Sequence, residues 1–137
     1  MAFIPYQGKT QCEPFAKAAS TAIAVGDALV FSSGYVTPAG SSATRTAGVA
    51  LGAVTSASDD YAATTLVPVV MLTPDLVFLA DVGTGSASQA NVGVAYGLAA
   101  AGTVDLTDTT DDAVTVVGVI SATKVLVKFN SAYEFNA

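Results

Sequence analysis

Short apolar bursts separated by small polar residues run the length of this chain, and none keeps a helical period. No stretch holds apolar positions at i, i+3, i+4 and i+7 with charges opposite, and glycines and β-branched residues recur too often for stable helix. Val, Ala, Thr and aromatic residues dominate the bursts, a composition suited to a pleated, half-buried surface. The pattern predicts strands over residues 13–18, 27–31, 34–37, 46–54, 65–72, 76–82, 92–95, 102–106, 113–120 and 123–130. The alanine run Leu98-Ala99-Ala100-Ala101 could start a turn of helix, but Gly97 and Gly102 bracket it closely. Between the bursts lie segments such as Ser32-Ser33-Gly34, Gly40-Ser41-Ser42 and 107–112, whose residues accept turn geometry or bond their own backbone. Short strands at intervals of about 8–12 residues imply an all-β chain, a compact antiparallel barrel or sandwich.

A weak internal repeat overlies this pattern. Val25-Gly26-Asp27-Ala28-Leu29, Gly34-Tyr35-Val36-Thr37 and Ala47-Gly48-Val49 find counterparts in Val92-Gly93-Val94-Ala95-Tyr96, Gly102-Thr103-Val104-Asp105 and Val117-Gly118-Val119-Ile120. Gly26 and Gly93 are 67 positions apart, Gly34 and Gly102 are 68, and Gly48 and Gly118 are 70. Each half, about 25–57 and 92–124, reads as a hairpin, a loop and a returning strand. The domain organisation expected is therefore an extended N-terminal arm over 1–12, a single β-domain over 13–130 with two related halves, and a C-terminal tail over 131–137. The arm holds Phe3, Ile4, Pro5, Tyr6 and Gln7. Proline confines it to extended or edge structure, and its large apolar residues must either fold back on their own core or dock on another molecule. Tyr133 and Phe135 raise the same question in the tail.

Composition narrows the chemistry. The 137 residues include no histidine, no tryptophan, one cysteine and five cations against eleven acids, for a net charge of −6. One domain of this length can bury a sufficient core without disulfide or metal. Cys12 has no intrachain partner and reads as a small, half-buried hydrophobe. Lys9, Lys17, Arg45, Lys124 and Lys128 are scattered, so no basic stripe exists for nucleic acid. The start lacks a secretion signal and no apolar run approaches a membrane span, so the expectation is a protein made in a cytoplasm without membrane association. Histidine-dependent triads are impossible, and no Ser–Lys or carboxylate pair has a recognisable spacing. The acidic run with Asp105, Asp108, Asp111 and Asp112 lacks the glycine and closing glutamate of a calcium loop and reads as a solvated turn. These absences point away from an enzyme and from any cofactor or metal.

Ala24-Val25-Gly26-Asp27-Ala28-Leu29-Val30, Gly34-Tyr35-Val36, Ala47-Gly48-Val49-Ala50, Leu79-Ala80-Asp81-Val82-Gly83-Thr84-Gly85, Val116-Val117-Gly118-Val119-Ile120 and Lys124-Val125-Leu126-Val127-Lys128-Phe129-Asn130 together resemble the capsid decoration, or cement, proteins of tailed bacteriophages. The resemblance covers roughly residues 24–130, in texture and glycine placement. It implies a β-tulip-like fold, a homo-oligomer (a homotrimer in the commonest case), attachment to the outside of an assembled shell of major capsid protein, and no catalytic site. It also implies that an N-terminal arm reaches the capsid subunit, which gives Phe3, Ile4, Pro5, Tyr6 and Gln7 a capsid-binding role. A trimer would carry a formal −18, so close association needs apolar or paired contact surfaces. Another phage structural subunit (tail tube or head–tail connector) shares the same style. A carbohydrate- or surface-binding β-domain has less support, because Tyr35, Tyr61 and Tyr96 are dispersed.

Overall fold

The structure, a computed structural model, describes residues 2–73 and 75–130. The chain is all-β: β1 (Ile4–Gln7), β2 (Cys12–Ala16), β3 (Ala28–Ser32), β4 (Tyr35–Pro38), β5 (Gly48–Ala50), β6 (Leu66–Met71), β7 (Val77–Thr84), β8 (Ala95–Ala100), β9 (Thr103–Asp105), β10 (Val114–Ser121) and β11 (Lys124–Phe129), with one 3-10 turn at Gln89–Asn91. They form two sheets in a sandwich-like arrangement, ordered β1-β7-β11-β10-β8-β9 and β2-β6-β5-β3-β4. The ten expected strands fall close to ten observed ones. Leu98, Ala99 and Ala100, the candidate helical turn, belong to β8 (Ala95–Ala100), because Gly97 and Gly102 leave no length for helix.

The two sheets are built alike. In the first five-strand unit, β2 pairs with β6, β6 with β5, β5 with β3 and β3 with β4, all antiparallel. In the second, β7 pairs with β11, β11 with β10, β10 with β8 and β8 with β9, again antiparallel and in the same chain order. Each five-strand unit then curls until its outer strands touch through a parallel contact: Lys17 opposite Val36 in the first, Val82 opposite Val104 in the second. Individual bonds repeat as well. The Gly26 amide donates to Ala50 O and the Ala50 amide to Asp27 O, just as Gly93 donates to Val116 O and Val116 to Val94 O. Both glycines have positive φ, +89° and +86°. The repeat thus spans residues 12–71 and 77–129, more than the glycine spacing suggested. Its third marker is also corrected: the ladder places Gly48 where the second unit has Val114, and Gly52 where it has Gly118.

Two hydrophobic cores follow from this build. Leu29, Val36, Ala50, Val67 and Val69 fill the first unit together with Ile23 and Val54. Phe78, Ala80, Leu98, Val104, Val114, Val116, Val125 and Val127 fill the second, and that cluster continues across the seam to Ala28, Val49 and Val70. Consequently β5 is buried on both faces. The Ala28 amide donates to Ala101 O at 2.7 Å, which ties the first unit to the β8–β9 turn.

β1 and β2 run along β7 and β6 as one bent ribbon that changes sheet at residues 8–11. The β3–β4 connection is a two-residue turn with Ser33 at φ 52° and Gly34 at φ 87°, the mirror-image turn that matches strand twist. Lys17, fully buried, stands where the second unit has Val82. Its ammonium donates to Ala18 O (3.0 Å) and Tyr61 O (2.7 Å) and lies 5.5 Å from the Tyr61 ring. It thereby pins the 51–65 connection over the first core.

Candidate interaction surface

The N-terminal segment is the place to start, because alternation along β1 splits its residues between two environments. Phe3 is 1% exposed and packs on Phe129 at 5.0 Å between ring centroids. Its amide donates to Gly26 O, and the Ala2 amide donates to the Asp81 carboxylate. Phe3 therefore belongs to the core, which corrects its place among the free arm residues: burying a ring beside Phe129 and Phe78 stabilises more than leaving it in water. Residues 4–7 fold back as an edge strand on β7, with Ile4 opposite Leu79, Pro5 opposite Phe78 and Gln7 opposite Val77. Pro5 is half-buried and Gln7 exposed. Ile4 and Tyr6 point outward, at 51% and 52% exposure. The tail over 131–137, with Tyr133 and Phe135, lies outside the described residues.

Ile4 begins an apolar row across the outer face of the second unit. Ladder pairing sets Ile4 beside Leu79, Leu79 beside Leu126, and Leu126 beside Gly118. Val117 and Ile120, both at irregularities in the β10 ladder, stand exposed next to it. Gly118 keeps the row flat, since a Cβ there would meet Leu126 Cδ1 at 3.2 Å. At one end the Lys124 ammonium donates to Asp81 Oδ1 at 2.6 Å. That hydrogen bond, foremost, holds the Asp81 carboxyl below the usual carboxylate range.

The same construction recurs on the first unit. Pro14 faces Pro68, and Ala16 faces Leu66. Leu51 donates its amide to Pro68 O, and a Cβ on Gly52 would meet Pro68 Cδ at 2.9 Å. By ladder position Pro14, Pro68, Gly52 and Leu51 correspond to Leu79, Leu126, Gly118 and Val117. Leu66 and Leu51 are 62% and 42% exposed. The sequence hides these patches. β6 and β10 carry apolar residues on both faces, so their pattern reads as complete burial and gives no sign that one face lacks a cover.

Elsewhere, acidic side chains brace their own loops. In the acidic loop, Asp105 Oδ1 accepts from the Thr107 amide and hydroxyl, and Asp108 Oδ1 from the Thr110 and Asp111 amides. Those amide bonds hold the Asp108 carboxyl low, while partial desolvation and the Asp108 charge push Asp111 up. Among the described residues no group of His, Cys, Asp or Glu is placed to hold a metal ion. Arg45, Thr44, Thr110 and Asp112 line a shallow cleft of about 490 Å³ between the two equivalent strand-to-strand loops. Cys12 is an exposed free thiol, not half-buried. Tyr35 is exposed, Tyr61 half-buried and Tyr96 buried. No helix among the described residues is long and apolar enough to cross a membrane. In comparisons with known proteins, the chain matches no protein-family model, no curated protein and no solved structure.

Proposed function

We propose that this chain is a structural virion protein, a decoration protein that binds the outside of an assembled tailed-phage capsid and bridges neighbouring major capsid subunits. The observation that carries this reading is the pair of flat, exposed apolar sheet faces at equivalent positions on a twice-built β scaffold. Sheet faces with Leu, Ile, Val and Pro outward are surfaces that gain by being covered. A ligand that bridges subunits favours the assembled state by mass action. An acidic chain of this kind meets neighbours through its uncharged faces. Ile4 and Tyr6 would serve as anchors from the outer face of β1, not from a free arm.

The test is co-sedimentation of purified protein with expanded, emptied shells and with unassembled capsid subunits of the phage that carries the gene. Attachment to shells and not to free subunits is the expected result. Equal binding to both, or to neither, would overturn the reading. Particles purified from infected cells should contain the chain in stoichiometric amount.

A further inference from the structure

We infer that the chain is two-headed: the outer patch of each five-strand unit docks a copy of the same apolar surface element on a repeating protein lattice. This rests on the decoration reading and specifies how attachment occurs. The two patches occupy equivalent ladder positions and are made by one device, a glycine just past β5 or within β10 that lets the outward side chain of the neighbouring strand lie flat. Gly52 lies beneath Pro68, and Gly118 beneath Leu126. Surfaces made alike at equivalent positions suit one partner shape presented twice.

Size argues for the same occupant. A handful of exposed side chains covers a few hundred Å², well short of the ~800 Å² per partner that a stable interface needs. One patch alone therefore holds weakly. The units share a core and are joined by the Ala28–Ala101 hydrogen bond and the bent ribbon, so the patches sit at a fixed spacing. Only a partner repeated at a matching spacing can engage both at once, and the gain from the second contact is then intramolecular. Charge fits as well. The ladder residues of the first patch, Pro14, Ala16, Pro68 and Leu66, carry no charge; on the second, Lys124 pairs with Asp81 at one end and Lys128 flanks Leu126 on the same face of β11. A protein of net charge −6 thus places no unpaired acid on either ladder row.

The experiment compares shell binding by the wild-type chain, Leu51→Asp/Leu66→Asp (first patch) and Ile4→Asp/Val117→Asp (second patch). Every variant is read as full-length protein whose thermal midpoint confirms folding. Leu51→Ser/Leu66→Ser and Ile4→Ser/Val117→Ser replace any variant that fails to fold. Each single-patch variant should lose at least ~100-fold in affinity for assembled shells, by a similar factor for the two patches. Wild-type-like shell binding by either variant, with wild type attached, overturns the two-headed arrangement and leaves the decoration reading standing. Failure of the wild-type chain itself to attach overturns both. Light scattering provides the remaining arm. If the patch substitutions dissociate a homo-oligomer and leave shell binding unchanged, the occupant is a second copy of this chain and the inference is wrong.

Discussion

Phe3→Ala removes a ring packed against Phe129 at 5.0 Å and almost wholly excluded from solvent, so its cost distinguishes a core residue from a docking one. A buried aromatic side chain covers about 150–250 Å². At about 25 cal/mol per Å² the transfer contribution is ~4–6 kcal/mol, an upper figure because the unfolded chain already hides part of that area. Alanine keeps the Cβ, and partial collapse of the site offsets some of the cavity, which brings the expectation to about 3–5 kcal/mol. For a chain of this length that corresponds to a fall in thermal midpoint of ~10–20 °C. Calorimetry or far-ultraviolet circular dichroism on wild type, Phe3→Ala, Ile4→Ala and Tyr6→Ala would read it. The two neighbouring substitutions, on outward positions, should each stay within about 1 kcal/mol of wild type. A fall of less than about 3 °C for Phe3→Ala would refute the placement of this ring in the core and restore a free arm.

Three further outcomes follow from other positions. Gly48→Ala should cost about 1–3 kcal/mol in denaturant unfolding, because its Cβ would run into the Val70 carbonyl oxygen, a backbone atom that cannot rotate away; an unchanged midpoint would contradict the β5–β6 packing. Asp81 has a depressed carboxyl, mainly through the Lys124 hydrogen bond, so its contribution is present above the unfolded value of about 3.9 and is lost as pH falls through the folded value. The gap in thermal midpoint between wild type and Asp81→Asn should therefore be open near neutrality and close in acid, and a gap independent of pH would rule out the ion pair as its source. Lys17→Met exchanges a buried ammonium for an apolar chain, and the desolvation relieved should offset the two hydrogen bonds lost. Global stability should move by less than about 1 kcal/mol while amide exchange in the 55–64 connection accelerates ~10-fold; a loss beyond about 3 kcal/mol would show that the lysine holds the whole unit.

The strands were legible in the sequence because turn residues punctuate every apolar burst, and Ser33-Gly34 sits at a turn that demands positive φ. β1 was harder to read. Pro5 marks it as extended, but whether such a segment pairs at home or elsewhere depends on β7 presenting a free edge, a long-range fact. The repeat was visible through Gly26 and Gly93, whose shared conformation the chain needs in both units. It was misaligned at Gly48, because a glycine buried against Val70 and a glycine lying beneath an outward side chain look identical as letters. The outer patches were illegible for a related reason. Leu66, Pro68 and Val117 lie in runs that are apolar on both faces, and Leu126 sits between Lys124 and Lys128, so only the assembled sheets show the bare face. Lys17 gave no signal of burial, since its partners are two main-chain carbonyls supplied partly by a connection 44 residues away.

A cryo-electron-microscopy reconstruction of phage particles carrying this gene product would test the central claim most directly. The account predicts one chain touching the outer shell through two contacts, one centred on Leu51 and Pro68, the other on Val117 and Leu126, each against the same region of adjacent capsid subunits. Particles without the chain, or a chain seated through its acidic loop or its β3–β4 turn with both apolar faces still exposed, would contradict it.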